Sequence, residues 1–189
     1  MVDNDRKTVD WTRGFVAADQ VQRAIVAAEQ NKKLINLAFT ADVPAAQTKI
    51  FRAAAGISAW GGALEINIFT GKVQKKYPLF YAIKQMMSHL SGYTSIKQIP
   101  QKDARARVYL VSRKGEKFWV AWRDPKGVLL PEDGKPSIRV RLSTGTQAVT
   151  VEEVITQMGQ EVPQSRHLTT QGSVADLTLT HAPVYIFPE

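Results

Sequence analysis

The chain contains no cysteine. Disulfides, thiolate zinc sites, iron–sulfur clusters and a cysteine nucleophile are therefore excluded. Histidine is scarce. His89, His167 and His181 are too scattered for an HExxH-type metal site, so no metal is expected. No run reaches the ~18 apolar residues that a membrane helix needs, so no membrane partner is expected. The N-terminus, Met1 to Lys7, is polar, and no apolar stretch behind it makes a secretory signal. That leaves the compartment open. Gly71-Lys72 and Gly134-Lys135 lack the spacing of a phosphate loop. No GxSxG elbow, dinucleotide fingerprint or RNA-binding motif is present, and no cofactor is expected.

What is there has an ordinary globular balance: 189 residues, 44% hydrophobic and 22% charged. The length suits one large domain or two small ones. Lys and Arg number 25 against 17 Asp and Glu, a net charge of +8. A basic chain attracts nucleic acid when its charges form a stripe. Here the densest cluster is only Lys72, Lys75 and Lys76, read as a loop. A solvated surface is the preferred reading, and nucleic acid the least favoured partner.

The first half alternates helix and strand. Residues 15–30 place Val21, Ala24, Ile25 and Ala28 on one helical face. Leu34–Phe39 is an apolar run of strand length. Asp42 and Pro44 open a second helix carrying Ile50, Phe51, Ala54 and Ile57, which stops at Gly61-Gly62. Ala63–Phe69 alternates as a second strand. Pro78 starts a third helix whose Leu79, Phe80, Ile83, Met86, Met87 and Leu90 follow helical spacing, with Gly92 as its C-terminal cap. Such alternation predicts parallel β-α units. Two strands alone make a poor parallel sheet, with open edges and two faces to cover.

Near residue 100 the pattern changes, and Pro100-Gln101-Lys102-Asp103 reads as a seam. Beyond it come short alternating segments: Arg105–Ser112, Lys117–Arg123, Ser137–Leu142, Gln147–Thr156, Val174–Thr180 and Val184–Phe187. Turn signals separate them at Arg113–Glu116, Asp124–Gly127, Glu132–Lys135 and Met158–Gln160. This predicts an antiparallel sandwich or open barrel. Glu152-Glu153 is poor strand material, so Val151–Gln157 reads alternatively as a helical turn. In Phe118-Trp119-Val120-Ala121-Trp122, alternation puts Phe118, Val120 and Trp122 on one face and Trp119 and Ala121 on the other. Trp119 is either exposed for stacking on a sugar or packed against the first segment, with packing preferred. Trp11 and Trp60 read as packing anchors.

Several of these segments form a familiar junction. Asn67-Ile68-Phe69-Thr70 leads into Tyr77-Pro78-Leu79-Phe80-Tyr81-Ala82-Ile83-Lys84 and then Ser91-Gly92-Tyr93. Arg107-Val108-Tyr109-Leu110, a lysine-glycine turn and Phe118–Trp122 follow, and Asp176–Ile186 closes the chain. From about Leu34 to Phe187 the pattern resembles the C-terminal end of clan-A-type glycoside hydrolases, a (β/α)8 barrel followed by a β-sandwich. The resemblance implies a partial TIM-barrel-like α/β segment over residues 1–99, with two parallel strands and flanking helices. An all-β antiparallel sandwich over 100–189 completes it. Leu34–Phe39 then resembles barrel strand seven, Ala63–Phe69 strand eight and Tyr77–Leu90 the last barrel helix, with six strands absent.

Retaining glycosidases of this kind need two carboxyl groups about 5–5.5 Å apart. The family's nucleophile is a glutamate ending strand seven, where this chain reads Phe39-Thr40-Ala41-Asp42. Asp42 is the carboxylate at hand, and its place before Pro44 suits a helix cap better. The acid/base of strand four has no counterpart. No catalytic residue is therefore assigned. Asp42, Glu65 and Trp119 stand as candidate substrate contacts, with Glu65 orienting substrate if it faces a barrel interior and otherwise a paired structural carboxylate. The implied protein is a truncated or split glycoside hydrolase with no complete active site of its own. Its role would be structural or in carbohydrate processing, and its partner the missing barrel half or a second copy. The alternatives are a non-catalytic carbohydrate-binding module stacking sugars on Trp119 and Tyr109 or Tyr185, and a nucleic-acid binder.

Overall fold

The structure is a computed structural model that describes residues 6–32, 62–67, 69–125, 127 and 129–189. Its elements are α1 (Arg6–Glu29), β1 (Leu64–Ile66), β2 (Val73–Lys76), α2 (Pro78–Leu90), β3 (Tyr93–Gln98), β4 (Ala106–Arg113), β5 (Glu116–Arg123), β6 (Ile138–Ser143), β7 (Ala148–Glu153), β8 (Ser165–Thr169), β9 (Val174–Leu179) and β10 (Val184–Pro188). A 3-10 turn covers Pro131–Asp133. Every strand pairing among these residues is antiparallel. No helix among them is long and apolar enough to cross a membrane.

Three layers result. The central layer is a six-stranded sheet in the order β3-β4-β5-β10-β7-β8, and β6 and β9 form a separate pair. Between these two sheets lies one core, built from Val108, Trp119, Ala121, Val140, Leu142, Val149, Val151, Leu177, Leu179 and Ile186. The opposite face of the large sheet presents Tyr109, Val111, Phe118, Val120, Trp122 and Tyr185 to α1 and α2. The helices answer with Ala17, Val21 and Ile25 from α1 and Leu79, Ala82 and Ile83 from α2, at spacings of three and four residues. A strand covered on both faces has no solvent side to advertise by polar alternation. That is why β5 reads as an unbroken apolar run. The outer pair is covered on one face only, and β6 accordingly alternates Ile138, Val140 and Leu142 inward with Arg139 and Arg141 outward.

Local chemistry fixes the turns. Lys114 and Gly115 both adopt positive φ, 47° and 87°, as a two-residue hairpin between twisted strands requires. Gly92 sits at φ 74° after α2, where a Cβ would also press on the Lys114 side chain. Pro100–Asp103 is the connection of the β3–β4 hairpin. That hairpin spans the expected boundary at residues 99 and 100, since β3 pairs into the sheet made by the residues after it.

Several expectations change. The first helix begins at Arg6 rather than at residue 15. The strand expected over Ala63–Phe69 ends at Ile66, because the Asn67 side-chain carbonyl accepts the N–H groups of Phe69 (3.0 Å) and Thr70 (3.1 Å) and turns the chain. In place of the loop expected around Lys72, Lys75 and Lys76, Val73–Lys76 is a strand returning antiparallel along β1. The parallel partner expected for β1, Leu34–Phe39, lies outside the described residues, as do the second helix and Trp60. The helical alternative for Val151–Gln157 gives way to β7, in which Glu152 and Glu153 pair with Tyr185 and Val184 of β10. Besides β2, two further strands carry no strand signal in the sequence, β3 and β8. They are the polar edges of the large sheet, and a charged, exposed edge is how sheets avoid pairing with other chains.

Candidate functional site

Of the three residues singled out from the sequence, the structure describes Glu65 and Trp119. Asp42 lies outside the described residues. Glu65 stands in β1 opposite Lys75, and the Tyr77 hydroxyl donates a hydrogen bond to its Oε2. The Arg13 guanidinium lies 3.2 Å above the centroid of the same Tyr77 ring. Glu65 thus belongs to a carboxylate–phenol–guanidinium stack that pins β1 to α1, the structural alternative to substrate contact.

Trp119 is 9% exposed and faces the core between the two sheets. It points neither to solvent nor to the helical layer, because β5 runs through the middle of the large sheet. Tyr109 is buried against Trp122, with ring centroids 5.1 Å apart, and Tyr185 is fully buried. None of these rings offers a face to a sugar, which removes the stacking set of the binding-module alternative.

Two polar constellations were not legible in the sequence. The first joins α2 to β7. His89 Nε2 lies 2.6 Å from Glu152 Oε1, and Gln85 Nε2 donates to the same oxygen at 2.7 Å. Gln85 also donates to the Glu153 carbonyl (3.1 Å) and accepts from the Ile155 N–H (3.1 Å). Burial alone would raise the Glu152 carboxyl; the hydrogen bonds from His89 and Gln85 and the His89 charge outweigh it and hold the group below the usual carboxylate range. The cluster ties α2 to β7 and to the backbone just after it, and works as a clamp.

The second is a cleft of about 610 Å³ between the first half of α1, the β9–β10 connection and the loop after β7. Trp11, Phe15 and His181 form its wall. Trp11 and Phe15 stack at 5.0 Å and 20°, and Phe15 and His181 at 4.4 Å and 12°. The rings meet because Trp11 and Phe15 are one helical turn apart. Gln22, two turns further, donates to the His181 carbonyl at 2.6 Å and anchors the far end. Burial pushes His181 below its ordinary value, against the pull of Asp19. The imidazole is therefore neutral near pH 7. Gly14 lets α1 approach the loop: a Cβ there would sit 2.4 Å from the Thr156 carbonyl oxygen. Asp10, Lys135, Glu153 and Arg166 line the cleft, the last two paired at 3.2 Å. The available signal was a tryptophan four residues before a phenylalanine on a helix. It named a ring pair and not its partner 166 residues on, His181. No group of three or more His, Asp or Glu side chains among the described residues is placed to hold a metal.

Comparison with known proteins locates this fold. No family model and no curated protein matches the chain. Among solved structures it is similar to a family 39 glycoside hydrolase from the gut symbiont Bacteroides cellulosilyticus WH2, with TM-score 0.56 and 18% identity over 92% of this chain and 30% of that one. A GH30 endoxylanase from Clostridium papyrosolvens C71 aligns at TM-score 0.42 and 10% identity over 66% of this chain and 30% of that one. A 4-O-α-L-rhamnosyl-β-D-glucuronidase from Fusarium oxysporum 12S aligns at 0.44 and 13%, over 67% and 31%. The chain thus spans about a third of the length of these enzymes. Its fold is that of a part of the family 39 structure.

Proposed function

We propose that this chain is a truncated or split glycoside-hydrolase-like protein. It comprises the closing β-α units of a barrel followed by the appended β-sandwich, whose sheet begins with β3. It has no complete active site of its own and serves a structural or carbohydrate-processing role within a larger assembly. The observation that carries this reading is the asymmetry of the match: 92% of this chain aligns with 30% of the family 39 enzyme. The sequence adds support, since Phe39-Thr40-Ala41-Asp42 holds no glutamate where the family places its nucleophile. A retaining mechanism needs two carboxyl groups, one as nucleophile and one as acid and then base.

The missing barrel half or a second copy would cover the surfaces left open. Light scattering across a range of concentrations tests this, together with release of nitrophenol from aryl glycosides. Association and hydrolysis no faster than the blank are expected. A compact monomer at every concentration, or turnover by the chain alone, overturns the reading.

A further inference from the structure

The cleft beside α1 has no role in that reading, yet its lining has a definite chemistry. A pyranose ring carries an apolar C–H face and a rim of hydroxyls. It needs a flat apolar surface with hydrogen-bonding groups at the edge, the composition typical of small-molecule sites. The column Trp11–Phe15–His181 supplies the surface. Trp11 is its outermost ring on α1 and is only partly buried, whereas Trp119 and Trp122 are closed in the core. Gln157, Thr178 and Thr180 offer neutral polar edges along the same lining. The formal charges of the lining cancel, Asp10 and Glu153 against Lys135 and Arg166, so the cleft gives an anion or a cation no net attraction. Its volume of about 610 Å³ falls within the range of small-molecule sites, roughly 300–1,000 Å³.

We propose that this cleft is a binding site for an uncharged pyranose sugar, stacked on Trp11, with Gln157 and the Arg166–Glu153 pair at its hydroxyls. The place rests on the cleft itself. The choice of a sugar over another flat ligand rests on the carbohydrate-processing reading.

The full chain is titrated with cellobiose, xylobiose and glucuronate, followed by saturation-transfer NMR and calorimetry. The neutral disaccharides bind and glucuronate binds more weakly. Trp11→Ala weakens the neutral sugars about tenfold or more, while Trp11→Phe, which keeps a ring, retains most of the affinity. Gln157 is exposed, so Gln157→Ala leaves the fold intact, and it weakens binding severalfold. Absence of neutral-sugar binding at tens of millimolar, preference for glucuronate, or affinity indifferent to both Trp11→Ala and Gln157→Ala overturns the site. The two proposals fail separately. A monomeric chain that binds xylobiose through Trp11 keeps the site and loses the assembly reading. A chain that associates but ignores sugars does the reverse.

Discussion

Replacing Gly14 by alanine sets two effects of opposite sign against each other. Gly14 lies inside α1, where alanine is favoured over glycine by about 1 kcal/mol. In an isolated helix the substitution would stabilise. Here the added Cβ meets the Thr156 carbonyl oxygen at 2.4 Å, and its carbonyl carbon at 3.4 Å. Real Cβ contacts essentially never fall below 3.0 Å, so helix and loop must part by at least 3.0 − 2.4 = 0.6 Å. Neither side yields easily. Ala17 and Val21 hold α1 in the core, and the buried Val154 and Ile155 hold the loop just before Thr156. Overpacking of this kind costs about 1–3 kcal/mol. Because the obstacle is backbone, the upper part of that range applies, and the net loss is about 1–2 kcal/mol. Urea unfolding followed by circular dichroism should show the midpoint lowered by roughly 0.5–1 M. Gly127→Ala is the control, since a Cβ there meets nothing within 4 Å. Its midpoint should move by no more than about 0.5 kcal/mol in equivalent stability. If Gly14→Ala unfolds at higher urea than the parent, the close approach of α1 to Thr156 is wrong, and so is the shape of the cleft.

Other substitutions test other parts of the fold. Trp119→Ala should cost about 3–5 kcal/mol in urea unfolding if the ring fills the core between the sheets, and close to nothing if it is a surface platform. The Tyr185 hydroxyl is buried with no hydrogen-bond partner among the described residues, and burial pushes its ionisation far above the ordinary tyrosine range. Tyr185→Phe removes an unsatisfied polar group and should raise stability by about 1 kcal/mol; a loss of that size would reveal a partner for the hydroxyl. Glu152 is held below its unfolded value of 4.5, so its contribution is complete above that pH and disappears as pH falls through the lower folded value. Stability measured on the acid side should therefore fall less steeply in Glu152→Gln than in the parent, and equal slopes would remove the clamp. His181 is also lowered, but it is a base: the unfolded chain takes up its proton first, and stability is lost as pH falls below about 6.5. Comparing the parent with His181→Asn between pH 7 and 5 isolates that slope, and identical profiles would place His181 in water.

Much of the fold was legible wherever a segment has one wet side. The spacing of Leu79, Ile83 and Leu90 marked α2, and alternation marked β6 and β9, because each of these elements sorts its own residues into a dry and a wet face. Positive-φ positions at Gly92, Gly115, Gly134 and Gly159 marked where the chain turns, since glycine tolerates that region without a Cβ clash. The polar strands β2, β3 and β8 were hidden for the converse reason: an edge strand buries too little to leave a pattern. Of the candidate contacts, Glu65 was legible as a strand residue, but its Tyr77 partner was not.

The amino-acid order by itself determined the helix over Pro78–Leu90, most of the antiparallel strands and the turns between them, because those depend on interactions among near neighbours. Only the tertiary structure decided that β5 is covered twice, so that Trp119 belongs to a core and not to a ligand. It alone brought His181 from one end of the chain onto Phe15 at the other. Burial and stacking across such distances are properties of which surfaces meet. No local propensity records them.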